Sequence, residues 1–339
     1  MKIKRDIIKR AFEQVKPGLA SKEVIEQSTS FAFISGCVVT FNNELSISCP
    51  IPELEIEGAI HEDEIYKFIS KVKTDEIDIE VNDDVLEIKS GRAKAGFKLI
   101  NEIKLPVIDE LGNKSDWVDL PDNFIELLNF TALCCSTNFS MVRLTCVHIN
   151  NDILESTDNL RICRTKLSKP IKLEALLPYD SALTVCKYKP VKIAESNGWL
   201  HFENNEGVII SCRTVNDTFV DIEKYIKNTE IETSIITLPE NLKEILSRAV
   251  VFAKRAKVNE EQVDIEVLEK RIVIRSESDY GWFEEFTRIK YSEKPVTFSI
   301  IPSMLMDILD KTNTCKIVDK ILRFDSENLI YLTALRSVK

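Results

Sequence analysis

The pattern of helix and strand signals restarts several times along this chain, and that repetition constrains the fold more than any other feature. An amphipathic helix is predicted at Arg5–Lys16, followed by several short runs typical of strands. Further along, Val118-Asp-Leu-Pro-Asp-Asn-Phe is echoed by Ile235-Ile-Thr-Leu-Pro-Glu-Asn-Leu, each just before a helix pattern. Self-similarity of this kind indicates an array of like structural units.

We predict three domains of about 113 residues, the usual size of a compact domain. Their bounds are 1–116, 117–232 and 233–339, with polar linkers at Leu111–Asp116 and Asn228–Thr233. Each domain is a pair of strand–helix–strands half-units, and this alternation with mostly antiparallel strands gives an α+β fold class. The predicted helices are Arg5–Lys16, His61–Thr74, Phe124–Cys135, Pro178–Cys186, Pro239–Lys257 and Pro302–Thr312.

Composition narrows the classes of function. The formal net charge of −10 argues against a surface that is basic throughout, although it does not exclude local basic patches. Nine scattered cysteines without a CxxC pair, and three separated histidines, predict reduced thiols and no metal site. Glycine-rich phosphate motifs and membrane-length apolar runs are absent from the sequence. We therefore expect a cytoplasmic protein, neither exported nor membrane-bound, without a cofactor.

Paired carboxylates are the only candidates for catalysis. Asp83/Asp84 and Asp325/Glu327 fall in predicted strand turns, where acidic residues commonly bond the local backbone. The sequence contains neither a nucleophile elbow nor HExxH. We expect no catalytic residues, but a Mg²⁺-dependent nucleic-acid enzyme remains an alternative because paired carboxylates can bind that ion.

The stretch Glu155–Cys163 lies near the centre of the chain. Apolar residues enter and leave a polar Ser-Thr-Asp-Asn corner, which is typical of a hairpin or a sheet crossover. Taken alone, it predicts only a turn.

Within the repeat, this stretch resembles a family signature. Ser156-Thr-Asp-Asn-Leu-Arg-Ile is similar to the "ATDGHRL" motif of bacterial sliding clamps, the beta subunit of DNA polymerase III. The preceding "R..L.G" strand of that family would be Met141–Ile149 here. Three further segments agree in order: Glu87-Ile-Lys-Ser-Gly-Arg, Val215-Asn-Asp-Thr-Phe-Val-Asp and Asn328-Leu-Ile-Tyr-Leu-Thr-Ala-Leu. Together these motifs extend over essentially the whole chain.

This chain also departs from the family pattern. Asn159 and Leu160 occupy positions where Gly-His is usual, and Val220 occupies a usual proline position. The chain is also somewhat short for a bacterial clamp. These departures indicate a divergent member, for which a viral origin is one interpretation.

The resemblance implies a DNA polymerase processivity factor. Three clamp domains per chain would form a head-to-tail homodimeric ring, with helices lining the pore and sheets outside. The implied partners are double-stranded DNA bound without sequence preference, the replicative DNA polymerase and a clamp loader. For the subunit boundary we predict pairing of edge strands Lys89–Leu99 and Gln262–Leu268. A monomeric protein that copies the clamp surface without encircling DNA is a further alternative.

A sliding ring must hold phosphates loosely, and basic residues on its helices can do so without contacting bases. The helices Arg5–Lys16 and Pro239–Lys257 are basic against the chain's average, whereas Asp122–Cys135 has no lysine or arginine. The expected lining is therefore uneven and DNA binding weak and salt-sensitive. The candidate DNA-facing residues are Lys4, Arg5, Lys9, Arg10, Lys16, Lys22, Lys67, Lys71, Lys187, Lys189, Lys243, Arg248, Lys254 and Arg255.

Clamps also bind short linear motifs of their partners in an apolar pocket between the second and third domains. The resemblance, carried over residue by residue, implies a pocket from the central stretch and the final strand. Its candidate residues are Cys146, Thr157, Asn159, Leu160, Ile162, Leu332 and Ala334. Without the resemblance, these would be ordinary core and turn residues.

Overall fold

A computed structural model describes residues 1–107, 111, 116–255 and 260–338. Helices and groups of antiparallel strands alternate along the chain, which confirms the predicted α+β class. The α-helices are α1 (Arg5–Val15), α2 (Glu62–Lys71), α3 (Phe124–Ala132), α4 (Tyr179–Tyr188), α5 (Glu223–Asn228), α6 (Leu242–Ala253) and α7 (Pro302–Leu309).

The strands are short, as expected for antiparallel sheets. They are β1 (Lys2–Lys4), β2 (Ser30–Ile34), β3 (Cys37–Phe41), β4 (Leu45–Pro50), β5 (Gly58–His61), β6 (Glu76–Asn82), β7 (Val85–Ser90), β8 (Ala93–Lys98), β9 (Val118–Asp119), β10 (Cys146–Asn150), β11 (Ile153–Thr157), β12 (Arg161–Lys166), β13 (Glu174–Pro178), β14 (Lys192–Ser196), β15 (Trp199–Glu203), β16 (Ile209–Arg213), β17 (Ile235–Thr237), β18 (Val263–Leu268), β19 (Arg271–Ser278), β20 (Gly281–Arg288), β21 (Val296–Ile300), β22 (Thr314–Val318), β23 (Ile321–Ser326) and β24 (Leu329–Ala334).

The chain divides into two compact units. The first unit comprises Met1–Ile125 and Leu177–Asn216, and the second comprises Glu126–Leu176 and Asp217–Lys339. The first contains an eight-stranded sheet, β5-β2-β3-β4-β16-β15-β14-β9, and a four-stranded sheet, β1-β6-β7-β8. The second contains the corresponding sheets β13-β10-β11-β12-β24-β23-β22-β17 and β20-β19-β18-β21. The three domain boundaries inferred from the sequence stay a prediction.

In the first unit, α1 covers the eight-stranded sheet with the apolar face seen in its sequence. Ile8, Ala11, Phe12 and Val15 are buried, and the ring of Phe12 stacks on that of Phe31 at 4.3 Å between centroids. Burial of a side chain of this size contributes about 1.5–3 kcal/mol. The hydrophobic period of 3.6 residues therefore decides which face of α1 meets the sheet.

In the second unit, α6 packs against the four-stranded sheet. Leu242, Ile245, Leu246 and Ala249 are buried with the apolar residues of β18 and β19 in one core. The helix predicted from the sequence is longer, and its last residue, Lys257, lies outside the described residues.

Three predicted strands differ from the structure. Phe31–Thr40 forms two strands, because Ser35 and Gly36 adopt positive φ angles of 49° and 73° in a two-residue hairpin turn. In Leu54–Ala59 the strand begins only at Gly58, and the alternation of Leu54 and Ile56 reflects two buried side chains of a loop. In Met141–Ile149, residues Val142–Thr145 form a 3-10 turn, so the strand begins at Cys146.

One of the two predicted subunit-edge strands is wrong. Lys89–Leu99 contains β8, which is the last strand of its sheet. Gln262–Leu268 contains β18, which pairs with β19 on one side and β21 on the other, so its backbone groups are already used. The edge strands of that sheet are β20 and β21 instead. Alternation alone could not distinguish an inner from an outer strand.

Candidate functional site

The stretch Ser156–Ile162 forms the hairpin connection between β11 and β12 in the second unit. Asp158 Oδ1 accepts hydrogen bonds from the backbone N–H groups of Leu160 and Arg161, both at 2.9 Å. Thr157 Oγ1 donates to the Arg161 carbonyl at 2.6 Å. Asn159 has a positive φ of 71°, a conformation that asparagine tolerates better than most residues. The polar corner is therefore held by its own side chains.

Arg161 ties this connection to two helices. Its side chain is 12% exposed, and its guanidinium bonds Asp158 Oδ2 at 3.0 Å and Asp307 Oδ2 of α7 at 2.7 Å. It also donates to the carbonyl of Leu133, just after α3. Through these bonds, each of the three guanidinium nitrogens of this buried arginine donates a hydrogen bond. They fix the backbone from which the neighbouring Leu160 projects.

Leu160 lines an open groove of about 330 Å³ within the second unit. The groove has an apolar floor, with Ile162 of β12, Ile321 of β23 and Leu332 of β24 among its lining residues. Leu332 also belongs to a buried apolar cluster with Ile222. A concave apolar surface with a few polar groups at its border is the usual form of a ligand or peptide site.

Six of the seven predicted pocket residues line this groove. They are Thr157, Asn159, Leu160, Ile162, Leu332 and Ala334. Cys146 does not line it: its side chain is fully buried at the start of β10, with Sγ 3.5 Å from the Val142 carbonyl. The family resemblance predicted a strand through residues 141–149, but Val142–Thr145 form a 3-10 turn. Cys146 is therefore the first residue of the strand, and its side chain lies in the core instead of the groove.

The opposite wall of the groove was missed by sequence reasoning. It comes from the segment Phe219–Asn228, which includes α5 and contributes Val220, Ile222 and Tyr225. The motif Val215-Asn-Asp-Thr-Phe-Val-Asp overlaps its beginning, but in the sequence that motif marks only the end of a domain. The available signal was the run of apolar residues at 219, 220, 222 and 226, too many for an exposed linker.

Two sets of polar contacts hold this wall on the sheet. Arg164 of β12 bonds Glu155 at 2.6 Å and Glu223 of α5 at 2.8 Å. Arg323 of β23, whose side chain is 4% exposed, donates to the Ile226 carbonyl at 2.7 Å and to Thr229 Oγ1 at 2.9 Å. These contacts join the wall to the strands that form the floor.

His148 extends the same network. Its Nδ1 lies 3.0 Å from Glu155 Oε2, its Nε2 lies 3.4 Å from Glu174 Oε1, and its ring stacks on Phe219 at 4.8 Å between centroids. Burial lowers the pKa of His148, but hydrogen bonds and charge from Glu155 and Glu174 outweigh it, so its pKa is raised. Burial raises the pKa of Glu155, but His148 and Arg164 outweigh that effect and its pKa is lowered.

The stability of the second unit should therefore depend on pH. The raised pKa of His148 contributes stability that is complete below its ordinary value of 6.5 and is lost as pH rises through the folded-state pKa. The lowered pKa of Glu155 contributes stability that is present above 4.5 and is lost as pH falls. We expect the part of the free energy of unfolding that depends on His148 to fall by about 1 kcal/mol between pH 6 and pH 9, the order of one hydrogen bond.

Urea denaturation of the wild type and of His148→Gln at each pH measures this effect. Glutamine keeps a hydrogen-bonding side chain but does not titrate, so the fall should be smaller in that variant by about 1 kcal/mol. The fall that comes from buried thiols with a raised pKa, such as those of Cys163 and Cys212, should remain in both proteins. His61, an exposed histidine of the first unit, provides the matched control His61→Gln. An equal pH dependence in wild type and His148→Gln would contradict the assignment.

The fourteen candidate DNA-facing residues lie on or beside α1, α2, α4 and α6, apart from Lys22, which lies in a loop. Seven have a carboxylate within 4.0 Å: Arg5, Lys9, Arg10, Lys16, Lys67, Lys243 and Arg248. Exposed ion pairs of this kind are worth about 0–1 kcal/mol, so a phosphate can replace the carboxylate at little cost. The other seven have no ion-pair partner among the described residues.

Three of these cations, Arg10, Lys187 and Lys189, line one depression of about 350 Å³ in the first unit. Arg10 extends from α1, and the two lysines lie at the carboxyl end of α4. Glu206 forms an ion pair with Arg10 in the same depression. The structure therefore brings together basic residues that are about 180 positions apart in the sequence.

The candidate catalytic carboxylates are engaged locally. Asp325 bonds the guanidinium of Arg323 at 2.7–2.9 Å and lies 3.8 Å from Lys316 Nζ. Asp83 has a φ of 53° in the β6–β7 turn, in keeping with a turn role. Within the described part of the chain, no group of three potential metal ligands occurs. Over the same residues, no helix has the length and apolar character needed to span a membrane.

Comparisons with known proteins extend these observations. Neither a protein-family model nor a curated protein sequence matches the chain. Solved structures do: the DNA polymerase sliding clamp of Bacillus subtilis has a TM-score of 0.83 and 16% identity, covering 100% of this chain and 99% of that one. The DNA polymerase III beta chain of Streptococcus pneumoniae has a TM-score of 0.83 and 19% identity, covering 99% of each chain. The DNA polymerase III beta subunit of Pseudomonas aeruginosa has a TM-score of 0.83 and 14% identity, covering 100% of each.

Proposed function

We propose that this chain, which has the fold of the DNA polymerase III beta sliding clamps, is itself a sliding clamp. It would form a head-to-tail homodimeric ring around duplex DNA and tether a replicative DNA polymerase. One observation supports this function more than any other: the stretch that resembles the clamp signature lies at the apolar groove, in a chain that matches clamp structures over its full length.

The groove fits an extended peptide with apolar anchors. Its volume of about 330 Å³ accommodates two or three apolar side chains but not a folded domain. Leu160 lies on one wall, Val220 and Ile222 supply the other, and Ile162 lies in the floor. Tyr225 and Asp221 provide polar groups that can orient the peptide backbone. Few buried anchors usually carry most of the affinity in such an interface.

The basic helix surfaces support the DNA role. Sequence-independent binding needs cations that meet phosphates and no side chains placed for base contacts. Since α3 carries no lysine or arginine, the basic surface is uneven. Each chain would therefore hold DNA weakly, and the closed ring would supply most of the retention. A high salt concentration should release the phosphate contacts before it opens the ring.

The assembly can be tested directly. We expect sedimentation velocity at near-physiological salt to give twice the mass of one chain, and particle images to show a ring with a central opening. The edges β8 and β20 should provide the subunit boundary, because their outer sides have no strand partner among the described residues. A chain that stays monomeric at high concentration would exclude the ring and favour a monomeric protein that copies the clamp surface.

A further inference from the structure

The edge strands β8 and β20 have complementary side chains on their outer faces, in addition to unpaired backbone groups along their edges. On β20, the side chains of alternate residues Trp282, Glu284 and Phe286 are exposed. Trp282 is 73% exposed and Phe286 is 66% exposed, which is unusual for large aromatic side chains. On β8, the corresponding exposed residues are Lys94, Gly96 and Lys98.

Within the part of the chain that the structure describes, the backbone groups of these same residues have no partner strand. The N–H of Leu99 bonds the Asp84 carbonyl, so in the alternating ladder Phe97 and Ala95 face β7 while Lys98, Gly96 and Lys94 face outward. At the other edge, the N–H of Ile289 bonds the Lys270 carbonyl. By the same alternation, the backbone groups of Phe286, Glu284 and Trp282 face outward.

An antiparallel pairing of β8 with β20 would place these residues directly opposite one another. Opposed side chains on one face then lie with their Cα atoms about 5.5 Å apart. The outward residues alternate as lysine, glycine, lysine on β8 and as aromatic, acidic, aromatic on β20. Any register that places a lysine opposite Glu284 therefore also places Gly96 opposite Trp282 or Phe286. Opposite charges across the strands stabilise such a pairing, and like charges destabilise it.

Only one of these registers avoids a repulsive pair. With Lys98 opposite Glu284, Lys94 would face Arg288. With Lys94 opposite Glu284, Gly96 faces Trp282 and Arg288 extends past the end of β8. Within each chain, Lys94 already bonds Glu87 and Glu284 already bonds Arg275, so this register joins them into one alternating row of charges.

Gly96 gives Trp282 a place to lie. A glycine in a strand leaves the backbone uncovered, and an aromatic side chain on the facing strand can cover it. There is also little room for a side chain at residue 96 itself, since a Cβ on Gly96 would lie 3.1 Å from Val85 Cγ1. The indole would therefore pack over bare backbone, with Lys94 and Lys98 on either side of it.

We propose that Trp282 of one copy covers Gly96 of a second copy on the outer face of the subunit boundary. The proposed partner is another copy of this chain, so the inference rests on the proposed ring. It adds a specific aromatic–glycine pair, flanked by Lys94 and Glu284, at each of the two boundaries.

The fluorescence of Trp282 tests the pair separately from the ring. We expect dilution through the dimer dissociation constant to shift tryptophan emission to longer wavelength in the wild type. The shift should be absent in Trp282→Phe, which keeps an aromatic ring and so stays dimeric. Trp282→Ala should weaken the dimer about tenfold or more in sedimentation, because the loss occurs at both boundaries. Phe139→Ala, an equally exposed aromatic residue outside both strands, is the control and should change the dimer less than twofold.

A double-mutant cycle tests whether the two residues face each other. Gly96→Thr should weaken the dimer strongly when Trp282 is present and only slightly in the Trp282→Ala background. A stable dimer whose emission does not change on dissociation, or additive effects in the cycle, would overturn the pair and leave the ring intact. A chain that never dimerises would overturn both.

Discussion

Replacing Leu160 with aspartate should abolish stimulation of the replicative DNA polymerase. Leu160 is half-buried in the groove wall, and a carboxylate there would have to be desolvated beneath an apolar anchor of the partner. We expect at least a 100-fold loss of affinity, equivalent to about 2.7 kcal/mol. Primer extension with the cognate polymerase measures the loss of processivity.

The substitution should leave the hairpin folded. The connection is held by the backbone N–H of Leu160 and by the side chains of Asp158 and Arg161, none of which changes. Sedimentation of Leu160→Asp should therefore still show the dimer. Ile235→Asp, at an exposed apolar residue of β17 outside the groove, is the matched control and should stimulate normally. Normal stimulation by Leu160→Asp would remove Leu160 from the partner site.

Reversing four cations should have the second large effect, on DNA. Lys9, Arg10, Lys254 and Arg255 changed together to glutamate remove basic groups from α1 and from the end of α6. Binding to a short duplex, which a closed ring can thread from the ends, should fall at least tenfold at low salt. The slope of log affinity against log salt should fall by about 0.9 for each phosphate that the variant no longer neutralises. Fluorescence anisotropy of the labelled duplex measures both quantities.

The control for this variant has the same change in net charge, but the four substitutions lie elsewhere on the surface. Lys169, Lys172, Lys290 and Lys294 are exposed cations outside the helices, and all four can be changed to glutamate in one protein. Overall charge alone predicts an equal loss of affinity in both variants. An equal loss would therefore contradict a pore on these helices, whereas a much smaller loss in the control would support it.

Much of this architecture could be predicted from local pattern. The apolar faces of α1 and α6 are visible as a period of 3.6 residues, and both are buried where that period places them. The departure at Asn159 also has a local reason: the position has a φ of 71°, which favours glycine and which asparagine accepts. Six groove residues could be named because the hairpin and the final strand carry recognisable motifs.

The remaining features depend on contacts between distant segments. Phe219–Asn228 becomes a groove wall because Arg164 and Arg323, from two different strands, hold it on the sheet. β18 is an inner strand only because β21 returns to pair with it, so the edges of the sheet are β20 and β21. Neither fact has a signature in the segment concerned.

By itself, the sequence determined the α+β class, the central hairpin and the basic character of selected helices, since each follows from the residues of one short segment. Only the tertiary structure decided the second wall of the groove, the pairing of half the candidate cations with carboxylates, the burial of Cys146 and the edge position of β20. These features depend on which distant segments meet, and long-range pairing is determined by the packing of the whole unit.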